Sequence, residues 1–128
     1  MASVVYQLTE NTIWFTTVGD VEHRGALDML KAGLAAGAAK PLPQGWHLLF
    51  DITRSTENRD PRELRNIADA IATHRSALSG RCAIVATDPL HYGLARMFGV
   101  FLGGLGFEVM VSRSLGEAQH WLHDQKPA

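Results

Sequence analysis

The sequence holds one cysteine, Cys82, among 128 residues. An internal disulfide is therefore excluded, and a lone thiol fits a reducing compartment. Long hydrophobic runs are missing as well. The longest candidate, Met97 to Phe107, is interrupted by four glycines, and nothing approaches the roughly 18 apolar residues of a membrane span. The opening Met1 to Tyr6 carries no basic region leading into an apolar run, so no signal peptide is expected. A cytoplasmic location is the expectation that follows. Neither sign of charge is in excess. Lys+Arg 12 against Asp+Glu 13 leaves a formal net charge of −1, without the basic balance of a nucleic-acid binder. The glycine loops that cradle phosphates are absent. No Gly-x-Gly-x-x-Gly follows a strand, and no Gly-x-x-x-x-Gly-Lys exists. There is no Gly-x-Ser-x-Gly elbow for a nucleophilic serine. Repeats and low-complexity segments are also missing.

What is present is ordinary globular material, 46% apolar and 20% charged, which suits one core in one domain. That domain is expected over 1–124, with 125–128 as a frayed polar tail. Val4 to Leu8 and Thr12 to Val18 read as two strands, rich in β-branched and aromatic residues. Glu10-Asn11 between them forces a hairpin, with Asn able to adopt the left-handed region. Leu27, Leu30 and Leu34 mark one face of a helix over about 23–38. Trp46 to Phe50 is a continuous apolar run, as in a strand covered on both faces, and is expected to end at Asp51. The polar stretch Ile52 to Arg59 reads as a loop. Asp60-Pro61-Arg62-Glu63 starts a second helix with a capping acceptor, an N1 proline and a glutamate. Leu64, Ile67, Ala68, Ile71 and Leu78 hold its face, and Gly80 is expected to close it. Cys82 to Ala86 is a fourth buried strand. Asp88-Pro89 starts a third helix that Gly106 ends. Phe107 to Val111 is a fifth strand, and Ser114-Leu115-Gly116-Glu117 opens a last helix. The order ββαβαβαβα implies a five-stranded mixed sheet, largely parallel, with an antiparallel hairpin and four helices.

That order resembles the STAS domain, the fold of bacterial anti-sigma factor antagonists. The stretches Arg81 to Leu90 and Tyr92 to Phe98 carry the likeness to stand-alone STAS-like, anti-sigma factor antagonist-like small bacterial proteins. Gly106-Phe107-Glu108-Val109 and Ala118 to Leu122 extend it. The resemblance implies a binding or regulatory module that is not an enzyme. Its partner would be a protein or a second copy of the chain, with no cofactor. A phosphoregulated STAS domain carries an Asp-Ser-Ser-Gly-like sequence before its second helix. The matching region here is Asp51-Ile52-Thr53-Arg54-Ser55-Thr56-Glu57, without the glycine, and the helix starts later, at Asp60. Ser55 and Thr56 are the hydroxyls that the resemblance puts forward, since phosphate would add about −1.5 to −2 of charge there.

Ligands of parallel sheets bind beyond the carboxyl ends of the strands. Asp51 and Asp88 follow the third and fourth strands, and Tyr92 comes close behind. These join Ser55 and Thr56 as candidates for contact with a small apolar or anionic ligand. Asp88 is equally explained as a helix cap. Leu48-Leu49-Phe50-Asp51 also resembles the phosphoacceptor strand of a receiver domain, but the acidic pair and the late lysine of that family have no counterpart. Six histidines show no metal-ligand spacing, so no metal is expected. Arg54, Arg59, Arg62 and Arg65 interleave with acids and read as a solvated, salt-bridged face more than an anion site, although a helix amino end nearby could attract a phosphate or carboxylate. The third helix is the odd element. From Leu94 to Gly106 its one charge is Arg96. A helix apolar nearly all round needs cover on more than one side, so Met97, Phe98 and Phe101 are the interface candidates. The alternative is a wall of an apolar pocket. Similar folds occur in the Sec14-like lipid-transfer class, although this chain is too short for that class's full cavity.

Overall fold

The computed structural model of the chain describes residues 2–124. The tail expected at 125–128 lies outside the described residues. The first two strands, β1 (Ser3–Thr9) and β2 (Thr12–Gly19), pair antiparallel as a hairpin. Glu10, not Asn11, takes the left-handed conformation, with φ 53°. The chain continues through α1 (His23–Ala38), β3 (Trp46–Ser55), α2 (Pro61–Ala72), β4 (Leu78–Val85), α3 (Pro89–Gly104), β5 (Glu108–Ser112) and α4 (Leu115–His123). The strands lie in the sheet in sequence order, and every pair after the hairpin is parallel. This is the mixed ββαβαβαβα sheet that the sequence predicts.

Right-handed crossovers that always step the same way put their helices on one face. Accordingly, α1, α2 and α3 share a core with Ile13, Phe15, Leu48, Cys82 and Ile84. Side chains alternate along a strand, so Leu49, Ala83 and Val85 face the other way and pack under Ala118 and Leu122 of α4. Leu48 and Leu49 are both fully buried, which is why β3 has no apolar/polar alternation. Burying each is worth about 1.5–3 kcal/mol.

Two expectations are corrected. β3 does not end at Asp51. It runs on beside β2 alone, with Arg54 opposite Val18 and Ser55 opposite Gly19, and a strand flanked on one side can carry polar residues. α2 does not reach Gly80. The Thr73 hydroxyl donates to the Ala70 carbonyl at 2.7 Å, and a short 3₁₀ turn, Arg75–Ala77, leads into β4. Leu78 and Gly80 thus belong to a strand, Gly80 with φ +96°. Leu78 fell on the helical spacing of Leu64 and Ile71 by coincidence.

The helix starts follow the sequence. Asp60 and Glu63 form a reciprocal capping box on α2, and Asp88 accepts from the N–H groups of Leu90 and His91 on α3. Gly106 ends α3 in a Schellman arrangement, with Phe107 N–H on the Leu102 carbonyl and Gly106 N–H on Gly103. Among the described residues, no helix is long and apolar enough to cross a membrane.

Candidate functional site

A cavity of about 110 Å³ lies between the sheet and α1, α2 and α3, at the carboxyl ends of β2, β3 and β4. Its walls are apolar: Phe15, Phe50, Ile84, Leu94, Ala95 and Phe98 among others. Phe15 and Phe50 stack with centroids 5.1 Å apart, and Phe98 meets Phe50 edge-on at 6.2 Å. Glycine brings α1 down onto this layer. A β-carbon on Gly33 would stand 2.6 Å from the Phe15 ring.

The polar part of the lining is Thr17, Ser55, Glu57, Arg59 and His91. Three of them lie in or beside the β3–α2 connection, and their bonds fasten it down. Glu57 N–H donates to Ser55 Oγ at 3.2 Å, and His91 Nε2 donates to the Glu57 carbonyl at 2.7 Å. That carbonyl can only accept, so Nε2 carries the proton. Arg59 sends one guanidinium nitrogen to the Val21 carbonyl and to Glu57 Oε2, the latter at 2.7 Å. Burial raises the Glu57 carboxyl above its ordinary pKa, and the neighbouring Arg59 charge offsets only part of that. Arg59 itself is 8% exposed, and its Nε–H is enclosed with no acceptor. The His91 Nδ1 likewise has no hydrogen-bond partner. It stands 3.6 Å from Asp88.

Of the ligand and switch candidates, the structure brings Ser55 alone to the cavity. Its hydroxyl is buried and already accepts a hydrogen bond. Thr56 is exposed beside it. Asp51 alternates to the α4 side of the sheet, where its carboxylate accepts from the Thr53 N–H and hydroxyl. Asp88 is spent as the cap of α3. Tyr92 lies under the Arg113 guanidinium, 4.3 Å from it, in a separate shallow groove.

The interface candidates also part company. Phe98 is 6% exposed and lines the cavity. Phe101 is half-buried beneath the Arg65 guanidinium at 4.6 Å. Met97 is exposed, and so are Leu90 and Val100, the last at 72%. Arg54, Arg62 and Arg65 are solvated as expected, whereas Arg59 is not. Sequence reasoning missed Glu57 and His91, and it read Arg59 as part of a solvated face. The available signal was position alone, just beyond β3 and β4, because an alternating charge run looks the same whether one member turns inward or none does. Among the described residues, no three metal-ligating side chains gather.

Sheet order, crossovers and the opening hairpin together define a STAS-like α/β fold. Comparison with solved structures gives the same answer. The chain is similar to a protein of the DUF3478 family with a SpoIIAA-like fold from Shewanella loihica PV-4, with TM-score 0.65 and 16% identity over 94% of this chain and 93% of that one. It is also similar to an anti-sigma factor antagonist from Mycobacterium paratuberculosis, with TM-score 0.63 and 13% identity over 97% and 96% of the two chains. At such identities the shared property is the fold. No protein-family model and no curated protein matches the sequence.

Proposed function

We propose that this chain is a non-enzymatic STAS-like regulatory module that holds a small apolar ligand between its sheet and its three-helix layer and acts on a protein partner. The cavity carries the reading. Native interiors are packed like organic crystals, with few voids larger than a water molecule, and a dry engineered cavity of about 150 Å³ takes up benzene. An apolar pocket of about 110 Å³, half open to the surface and beside a buried arginine, fits a small ligand. Asp51 and Asp88, the acids that follow the third and fourth strands, each serve local hydrogen bonds. The fold shared with an anti-sigma factor antagonist supports the partner-binding half of the proposal.

A second reading is self-association through α3, favoured by Leu90 at 54% exposure and Val100 at 72% on one helix. Native mass spectrometry of freshly purified protein separates the two. For the ligand reading, wild type carries a bound species that Ala95→Leu lacks, since the added carbons fill the cavity. Saturating 1-hexanol should likewise raise the melting temperature of wild type and leave Ala95→Leu unmoved. Bare wild-type protein that is indifferent to hexanol overturns that reading. A dimer that Val100→Asp converts to monomer establishes the second.

A further inference from the structure

Resting on the reading of the cavity as a ligand site, we propose that its ligand is a short-chain monocarboxylic acid, with the tail among the phenylalanines and the carboxylate on Arg59. Two independent observations meet at this end of the cavity. The first is the Arg59 Nε–H. It belongs to a guanidinium buried more than nine-tenths, in a residue that lines the cavity, and it has no acceptor. A buried donor left unpaired costs about 1–3 kcal/mol. Guanidinium is charged at all accessible pH, so the missing acceptor is best supplied by an anion or a strong dipole. The guanidinium bonds to Val21 and Glu57 both come from one nitrogen and hold the group still, with the Nε–H enclosed beside them.

The second observation is the start of α1. The amino ends of α2 and α3 are closed by Asp60 and Asp88. Glu22, at the same position of α1, makes no side-chain cap, and the first turn holds no acidic residue. That turn borders the cavity through Ala26. Arg59 reaches the carbonyl of Val21, the residue before Glu22. The uncapped amino end of α1 and the buried, unpaired Arg59 Nε are therefore neighbours, and both favour negative charge.

The rest of the ligand follows from volume. At about 30 Å³ for a water-sized group, the cavity of about 110 Å³ holds roughly four methylenes beyond the head. With the terminal methyl among those groups and the carboxyl carbon added, that sets the optimum near five carbons. Phosphate monoesters, with greater charge and bulk, fit poorly beside the Glu57 carboxylate.

Isothermal titration calorimetry on the wild-type chain tests this with butanoate, hexanoate, octanoate and dodecanoate, each beside the alcohol of equal length. The expected result is tightest binding at butanoate and hexanoate, the members on either side of five carbons, and a preference for the acid over the alcohol of about tenfold, the worth of one charge-assisted hydrogen bond. Arg59→Gln, checked for folding by circular dichroism, should lower hexanoate affinity about tenfold, to the level of hexanol. Equal binding of acids and alcohols by wild type overturns the carboxylate assignment and leaves the apolar cavity site standing. Affinity that keeps rising to dodecanoate overturns the short-chain assignment. Failure of both series to bind removes the cavity reading itself.

Discussion

At Gly45 the backbone takes φ +78°, and a β-carbon there would stand 2.7 Å from the Leu78 carbonyl oxygen. Both the left-handed conformation and the approach of β4 demand glycine. Gly45→Ala should cost at least about 2 kcal/mol, since strain of 1–3 kcal/mol is joined by a backbone collision. Gly93 is the opposite case. It sits in the interior of α3 with nothing within 4 Å of its missing β-carbon, so Gly93→Ala should stabilise by about 0.5–1 kcal/mol. Urea denaturation of the two variants beside wild type reads both signs in one experiment. The sequence puts Gly45 in a connection and Gly93 in a helix, but the collision at Gly45 is not legible there, because a neighbour from a distant strand leaves no local trace. The burial of Arg59 escaped notice for the same reason. The four arginines of its segment differ in what folds over them, not in their spacing. Asp60 and Asp88, by contrast, were legible as caps because everything they bond lies within three residues.

Each of the four helices has its carboxyl end met by a side-chain donor. The Trp46 indole N–H donates to the Gly37 and Lys40 carbonyls at 2.9 and 3.1 Å, finishing α1. The Thr73 hydroxyl closes α2. Arg75 reaches the Leu105 carbonyl past the end of α3 and covers the Phe107 ring at 5.4 Å. Arg81 donates to the Trp121 and Asp124 carbonyls at 2.7 and 3.0 Å, beside the Trp121 ring. Positive charge at these ends opposes the negative pole of the helix. Arg75→Ala should therefore destabilise by about 1 kcal/mol and speed amide exchange selectively in the last turn of α3. Equal protection of that turn in the variant and wild type would remove the capping role. The amino ends of the elements could be read from sequence, and α1 falls where its leucines put it. The carboxyl end of α3 was legible too, in Gly106, although Arg75 comes from elsewhere to meet it; the end misread was that of α2, which Thr73 closes and no glycine marks.

Across the whole molecule, α4 is held to the back of the sheet partly through imidazoles. His47 of β3 lies 2.7 Å from Ser79 Oγ and meets the His123 ring edge-on at 5.7 Å. Burial lowers its pKa, and the His123 and Arg81 charges lower it further. The unfolded chain then binds the proton more readily than the folded one, so this group removes stability as pH falls below about 6.5. Glu57 acts in the opposite sense. Its raised pKa makes the folded form the better proton binder, and that contribution fades as pH rises above the ordinary carboxylate value. Comparing urea midpoints at pH 7 and pH 5 isolates the imidazole. Wild type should lose more than His47→Gln over this interval, and parallel losses would assign the pH dependence to other groups. The sheet has one more consequence, which concerns synthesis. Strands lie side by side in the order of the chain, so none must be inserted between two already paired. A chain leaving the ribosome amino end first finds each new strand's partner already made. The nucleus can form at the hairpin and grow by one strand–helix unit at a time, with few long loops to close at any step.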